Sequence, residues 1–112
     1  MKHYETIKTE DTQGFHVVCS VAYEDTLSVQ DSFDDSCHDI EDICRKIDNG
    51  TYVWFMVRVE AFKSGILLGT DYLGGCLYES YQEFLQDAYY EDMVSTAIAD
   101  AKQNLEKLYA TA

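Results

Sequence analysis

The chain has 112 residues, enough for one domain and too few for two independent cores. Hydrophobic residues make up 46% and aromatics 13%, with nine Tyr and five Phe, which excludes disorder for most of the chain. Eight Lys and Arg stand against 21 Asp and Glu, a formal net charge of −13, and a field of that sign repels the phosphates of nucleic acid and of an anionic membrane.

In chain order, residues 3–8 mix Tyr4, Thr6 and Ile7 with polar residues and read as a weak strand, followed by a turn-rich connection over 10–14. Residues 15–23 alternate: Phe15, Val17, Cys19, Val21 and Tyr23 share one face, and this strand pairs with the first as a hairpin. Residues 24–35 are polar and acidic, a loop with room for a short edge strand over 26–30. Ser36 or Asp35 then caps a helix running to about Asp48. Its stripe is Cys37, Ile40, Ile43, Cys44 and Ile47, and Asp48-Asn49-Gly50 ends it. Residues 51–62 form the strongest strand, with Val53, Phe55, Val57 and Val59 on one face, as suits a sheet centre. After the turn Lys63-Ser64-Gly65, residues 66–72 return as its hairpin partner, and Gly74-Gly75 permits a bulge. Ser80-Tyr81-Gln82-Glu83 is a capping box that starts a helical stretch reaching Leu108, with a change of direction expected between 87 and 92. Phe84, Leu85, Ala88 and Tyr89 make its first apolar face; Val94, Ala97, Ile98, Ala101, Leu105 and Leu108 make a second. The expected fold is a single α+β domain spanning 1–112. It has an antiparallel sheet of about four strands with helices on one face, in the order β-β-α-β-β-α-α.

No apolar run approaches membrane-spanning length, and no secretory signal is visible behind Met1, so a cytoplasmic protein is expected. In that setting Cys19, Cys37, Cys44 and Cys76 stay reduced, with Cys37 and Cys44 read as buried structural residues. Asn49-Gly50-Thr51 matches the glycosylation sequon but reads as a turn. Cys37-His38-Asp39 with Asp42 contains metal-ligand types, yet consecutive helical residues point about 100° apart and cannot converge. Residues 31–42 lack the calcium-loop pattern. No metal or cofactor is expected. A Cys76-centred enzyme would need a thiolate activated by a neighbouring base, and His3, His16 and His38 are all remote in sequence; the expectation is a protein that is not an enzyme.

The acids are laid out unevenly. Residues 24–42 hold eight of them and residues 71–100 seven, both stretches without a Lys or Arg. Glu79, Glu83, Asp87 and Glu91 follow one another at four-residue intervals. On one helix they form a carboxylate ridge whose like-charge repulsion costs a few tenths of a kcal/mol per pair. Such a line can imitate phosphates and occupy a basic groove, with interleaved tyrosines adding contacts. The candidate partner-binding residues are therefore Glu79, Glu83, Asp87, Glu91 and Asp92, then Asp31, Asp34, Asp35, Asp39 and Asp42. Two alternatives stand beside this: an adaptor bound through exposed tyrosines, and a solvated acidic face that serves solubility. The apolar stripe over 93–108 offers a homodimer contact.

Around Asp71-Tyr72-Leu73-Gly74-Gly75-Cys76-Leu77-Tyr78-Glu79-Ser80, and again at Tyr89-Tyr90-Glu91-Asp92-Met93, the chain resembles short bacteriophage proteins. By size and acidity it is also similar to the anti-CRISPR and anti-restriction inhibitors. What these resemblances imply is a protein partner, a host nucleic-acid-handling defence protein with a basic surface, and no catalysis; they transfer no residue-level site.

Overall fold

A computed structural model describes residues 3–25, 27–33 and 39–111. The elements run β1 (Glu5–Thr12), β2 (Phe15–Tyr23), α1 (Val29–Ser32), α2 (Ile40–Asp48), β3 (Val53–Lys63), β4 (Ile66–Tyr78), α3 (Tyr81–Leu85) and α4 (Ala88–Thr111). The strands form one antiparallel sheet in the order β1-β2-β3-β4, so the α+β fold and its element order are as the sequence predicts, with α1 an added single turn. That turn stands where a short edge strand was expected.

Both hairpins close through two residues at positive φ, Gln13-Gly14 (54°, 84°) and Ser64-Gly65 (53°, 78°). This is the φ signature of a type I′ turn, whose twist matches that of paired strands. Because the turns are so short, β1 and β3 extend further than their apolar patterns suggest, β1 to Thr12 and β3 to Lys63.

The core lies between one sheet face and α4. β2 supplies Phe15, Val17, Cys19 and Val21, and β3 supplies Phe55, Val57, Val59 and Ala61, all buried. Against them pack Met93, Val94, Ala97, Ile98 and Ala101, the stripe read from the sequence. Hence that stripe is used within the chain, and its central residues are not open to a second copy. Leu108 at its far end is exposed. In the first turn of α4 the inward residue is Tyr90, while Ala88 and Tyr89 face out, contrary to the expected face. Phe84 of α3 completes the core, edge-on to Phe55 and Tyr78 at 5.9 and 5.5 Å between ring centres.

Contact between α4 and β4 is close enough to need glycine. A Cβ on Gly69 would run into the Ala97 carbonyl and come within 2.6 Å of Ala101 N. Ala97 and Ala101 are small for the same reason, so backbone meets backbone.

On the opposite sheet face, Tyr4 stacks over Arg58 in mid-sheet, and a second cover lies at one end. There Trp54 donates through Nε1 to the Leu27 carbonyl at 3.3 Å and packs against Phe33. α2 sits beyond α1 with no buried residue; Ile40, Ile43, Cys44 and Ile47 are all half-buried. Its cap is Asp39, whose Oδ1 accepts from Asp42 N–H at 3.0 Å. Cys37, Ser36 and Asp35, expected to open this helix, lie outside the described residues. None of the described helices is long and apolar enough to cross a membrane.

Candidate functional site

The carboxylate series does not lie on one helix. Glu79 precedes the N-cap Ser80, whose hydroxyl accepts from Glu83 N–H at 3.2 Å. Glu83 is in the first turn of α3; Asp87 falls in the break between the helices; Glu91 is in the first turn of α4. The ridge inferred from the four-residue spacing is therefore broken. Repulsion along a continuous helix does not arise, and Glu83 and Glu91 instead sit at helix N-termini, where the dipole favours a negative charge by about 0.3–1 kcal/mol. The change of direction expected between residues 87 and 92 falls at residues 86–87, and it is this break that divides the series.

The break has its own chemistry. Tyr78 donates through its hydroxyl to Asp87 Oδ2 at 2.8 Å, and Asp87 is half-buried. Burial, with the neighbouring carboxylate, raises the Tyr78 hydroxyl well above its ordinary value of 10. Asp87 is a structural acid tying α4 to the end of β4. By contrast Glu79, Glu83, Glu91 and Asp92 are exposed, and among the described residues none forms an ion pair.

The second acidic stretch divides in a similar way. Asp39 caps α2, and Asp42 is hydrogen-bonded by Lys46 and Arg45, in that order of influence, which holds its carboxyl below its ordinary value of 3.8. Asp31 falls in α1, and Asp34 and Asp35 lie outside the described residues.

Glu24 departs most from the sequence reading, which counted it among the loop acids. It is 3% exposed, and its Oε1 accepts from Gly75 N–H at 2.8 Å. Gly74 and Gly75 together oppose Met56, a bulge between the Phe55–Cys76 and Val57–Leu73 pairs, and Gly75 has φ 65°. The bulge turns this N–H out of the ladder and Glu24 receives it. A Cβ on Gly74 would come within 2.9 Å of the same carboxylate oxygen. The expected bulge at Gly74-Gly75 is thus present, and it exists together with a buried acid from the far side of β3.

Beside the bulge a cleft of about 340 Å³ opens along the edge of β4. Its floor is residues 73–78, and its walls are Phe33 and Tyr89. Cys76 lies in the floor, 5% exposed, with its thiol pushed up to about 12 by burial and then by the Glu24 charge. A thiol in that state is protonated at neutral pH, the opposite of an activated nucleophile. Cys19 is likewise pushed up to about 12 by burial. Cys44, expected to be buried, is half-buried, and Cys37 lies outside the described residues. Among the described residues no group of three or more His, Cys, Asp or Glu side chains could hold a metal ion.

Four tyrosines stand out at the surface: Tyr23, Tyr72, Tyr89 and Tyr109 are 70, 59, 56 and 72% exposed. Two of them, Tyr72 and Tyr89, belong to or adjoin the base-free stretch of residues 71–100. No family model, curated protein or solved structure matches this chain.

Proposed function

We propose that the protein is an acidic inhibitor that binds a nucleic-acid-handling protein of the anti-CRISPR or anti-restriction target type and blocks its basic nucleic-acid site. The observation that carries this reading is the set Glu79, Glu83, Glu91 and Asp92: exposed, without ion pairs among the described residues, and in a stretch with no Lys or Arg. Such groups keep their full field toward a partner, so they speed encounter with a cationic groove and make the complex salt-sensitive. Support comes from net charge and exposure, and no longer from a helical ridge. Asp87 contributes to the local fold more than to the outward field.

The test is a pull-down from bacterial lysate with the tagged chain, eluted first with salt and then with DNA, followed by charge reversal. Glu79→Lys with Glu91→Lys is expected to weaken the recovered complex by more than about tenfold while the melting curve is kept. An unchanged affinity in that folded variant would reject the reading. A complex that resists high salt would favour the adaptor alternative, for which Tyr72 and Tyr89 provide exposed aromatic surface.

A further inference from the structure

β4 is an edge strand, and its outer side is treated differently along its length. In an antiparallel ladder the N–H and C=O of one residue point to the same side, and successive residues alternate. The Trp54 carbonyl accepts from Glu24 N–H at 3.3 Å, so Trp54 faces the β2 side, as do Arg58 and Glu60 by alternation. Their partners on β4, Leu77, Tyr72 and Thr70, therefore direct their backbone groups away from β3. For the first half of the strand α4 meets those groups. Asp100 Oδ2 accepts from Thr70 N–H at 3.2 Å, and Asn104 Nδ2 donates to the Leu68 carbonyl at 2.5 Å. Beyond Thr70 no described side chain of α4 bonds these outward groups. The outward groups of Tyr72 and Leu77 make no hydrogen bond among the described residues.

The cleft runs along this open half. Phe33 walls it from the Trp54 side of the sheet, and Tyr89 walls it from the start of α4. An edge with unmet donors and acceptors beside an apolar groove is the geometry in which an extended peptide adds as a strand. Charge selects the peptide. The exposed acids Glu79, Glu91 and Asp92 follow the lining residues Tyr78 and Tyr89 within three positions, and residues 71–100 contain no Lys or Arg.

We infer that residues 72–77 of β4 are a docking edge for an extended segment of a partner protein in which apolar residues alternate with Lys or Arg. Alternate side chains of an added strand point to opposite sheet faces, so the apolar ones meet Phe33 on the Trp54 face and the cations meet Tyr89 and the acids at the start of α4. A second copy of this chain is the disfavoured occupant, because it would bring a net charge of −13 against another of −13. The inference rests on the inhibitor reading only for the sign of the partner's charge.

The probe is a synthetic peptide of alternating Lys and Val, titrated into the isotope-labelled full chain and followed by amide shifts and hydrogen exchange. Changes are expected at residues 72–77 and at Tyr89. The matching Glu–Val peptide should bind roughly tenfold weaker or worse, and so should the Lys–Val peptide with alternate backbone nitrogens methylated, which loses donors and keeps its charge. Tyr72→Pro removes the outward N–H without breaking a β3–β4 bond and is expected to weaken binding by about tenfold. If proline disturbs the strand, Tyr89→Ala removes a wall of the groove from an exposed position and carries the same expectation. Undiminished binding of the methylated peptide, or shifts spread over the acidic surface, would overturn the docking edge and leave the inhibitor reading standing. So would no binding at millimolar peptide, or a peptide-free dimer that protects residues 72–77. Methylation-sensitive binding with an unaltered lysate partner after Glu79→Lys and Glu91→Lys would keep the docking edge and remove the inhibitor reading.

Discussion

α4 packs directly on one face of the sheet, whereas α2 packs on α1, beside the Trp54 end of the other face. α4 lays 24 residues, about 36 Å, along β3 and β4 and buries small side chains at its centre so that its backbone reaches Gly69. α2 has nine residues, none buried, and reaches the sheet through α1, Phe33 and Trp54. Both helices have an apolar stripe in sequence. The difference is that α4 has a glycine-relieved strand to lie on, whereas the Trp54 indole on the other face is met by Leu27 and Phe33, and α2 packs on α1. Amphipathic pattern alone therefore does not measure how much stability a helix draws from packing.

The comparison can be broken or sharpened by substitution. Gly69→Val should have the largest effect, costing about 3 kcal/mol and lowering Tm by more than about 10 °C in calorimetry, because Ala97 and Ala101 backbone atoms occupy the space. A Tm within about 2 °C of the parent would mean that α4 can lift off the sheet at little cost.

Alkaline pH should act next, and on the α4 side. Tyr78 donates to Asp87, and Tyr90 donates to Glu10 at 2.6 Å; burial raises both hydroxyls above their ordinary value of 10. A tyrosine whose folded value is raised gives stability that is complete below its unfolded value and is lost as pH climbs toward the folded one. Tm should thus fall between pH 10 and 12, and the fall should be shallower in Tyr78→Phe. Equal slopes in the two proteins would remove Tyr78 from this account.

Glu24→Ala leaves the Gly75 N–H without its acceptor and should cost about 2 kcal/mol by urea unfolding, with line broadening at residues 73–76 in NMR spectra. Ile43→Ala, on the half-buried stripe of α2, should cost less than about 1 kcal/mol, and amide exchange in α2 should proceed by local opening well below the global unfolding free energy. Exchange in α2 as slow as in α4 would erase the contrast between the two helices.

What could be read from the chain, and what could not, divides along the same line. The alternation of Phe15, Val17, Cys19 and Val21 placed β2, and the box from Ser80 to Glu83 placed the start of α3, because each depends on neighbours in sequence. The four-residue spacing of Glu79, Glu83, Asp87 and Glu91 makes a ridge only on one continuous helix, and the expected change of direction, at residues 86–87, divides it where Asp87 accepts from the Tyr78 hydroxyl. Glu24 was counted as a surface acid because its acceptor role is fulfilled by Gly75, 51 residues away. Tyr90, not Tyr89, continues the buried stripe of Val94, Ala97 and Ala101, and its hydroxyl finds an acceptor in Glu10, 80 residues earlier. Periodicity carries local geometry; it carries nothing about which polar group will find a distant mate.

The interruptions along both outer strands bear on the acidity itself. β1 changes register between Thr6 and Lys8, and the first half of β4 is capped by Asp100 and Asn104. Edges broken in this way are poor templates for endless strand-to-strand growth. Backbone geometry thus guards β1 and the first half of β4 against fibril growth, while the net charge of −13 guards the open half, so a neutralised variant should self-associate in an agitation assay. The charge that would draw a cationic strand toward this edge is the same charge that holds copies of the chain apart.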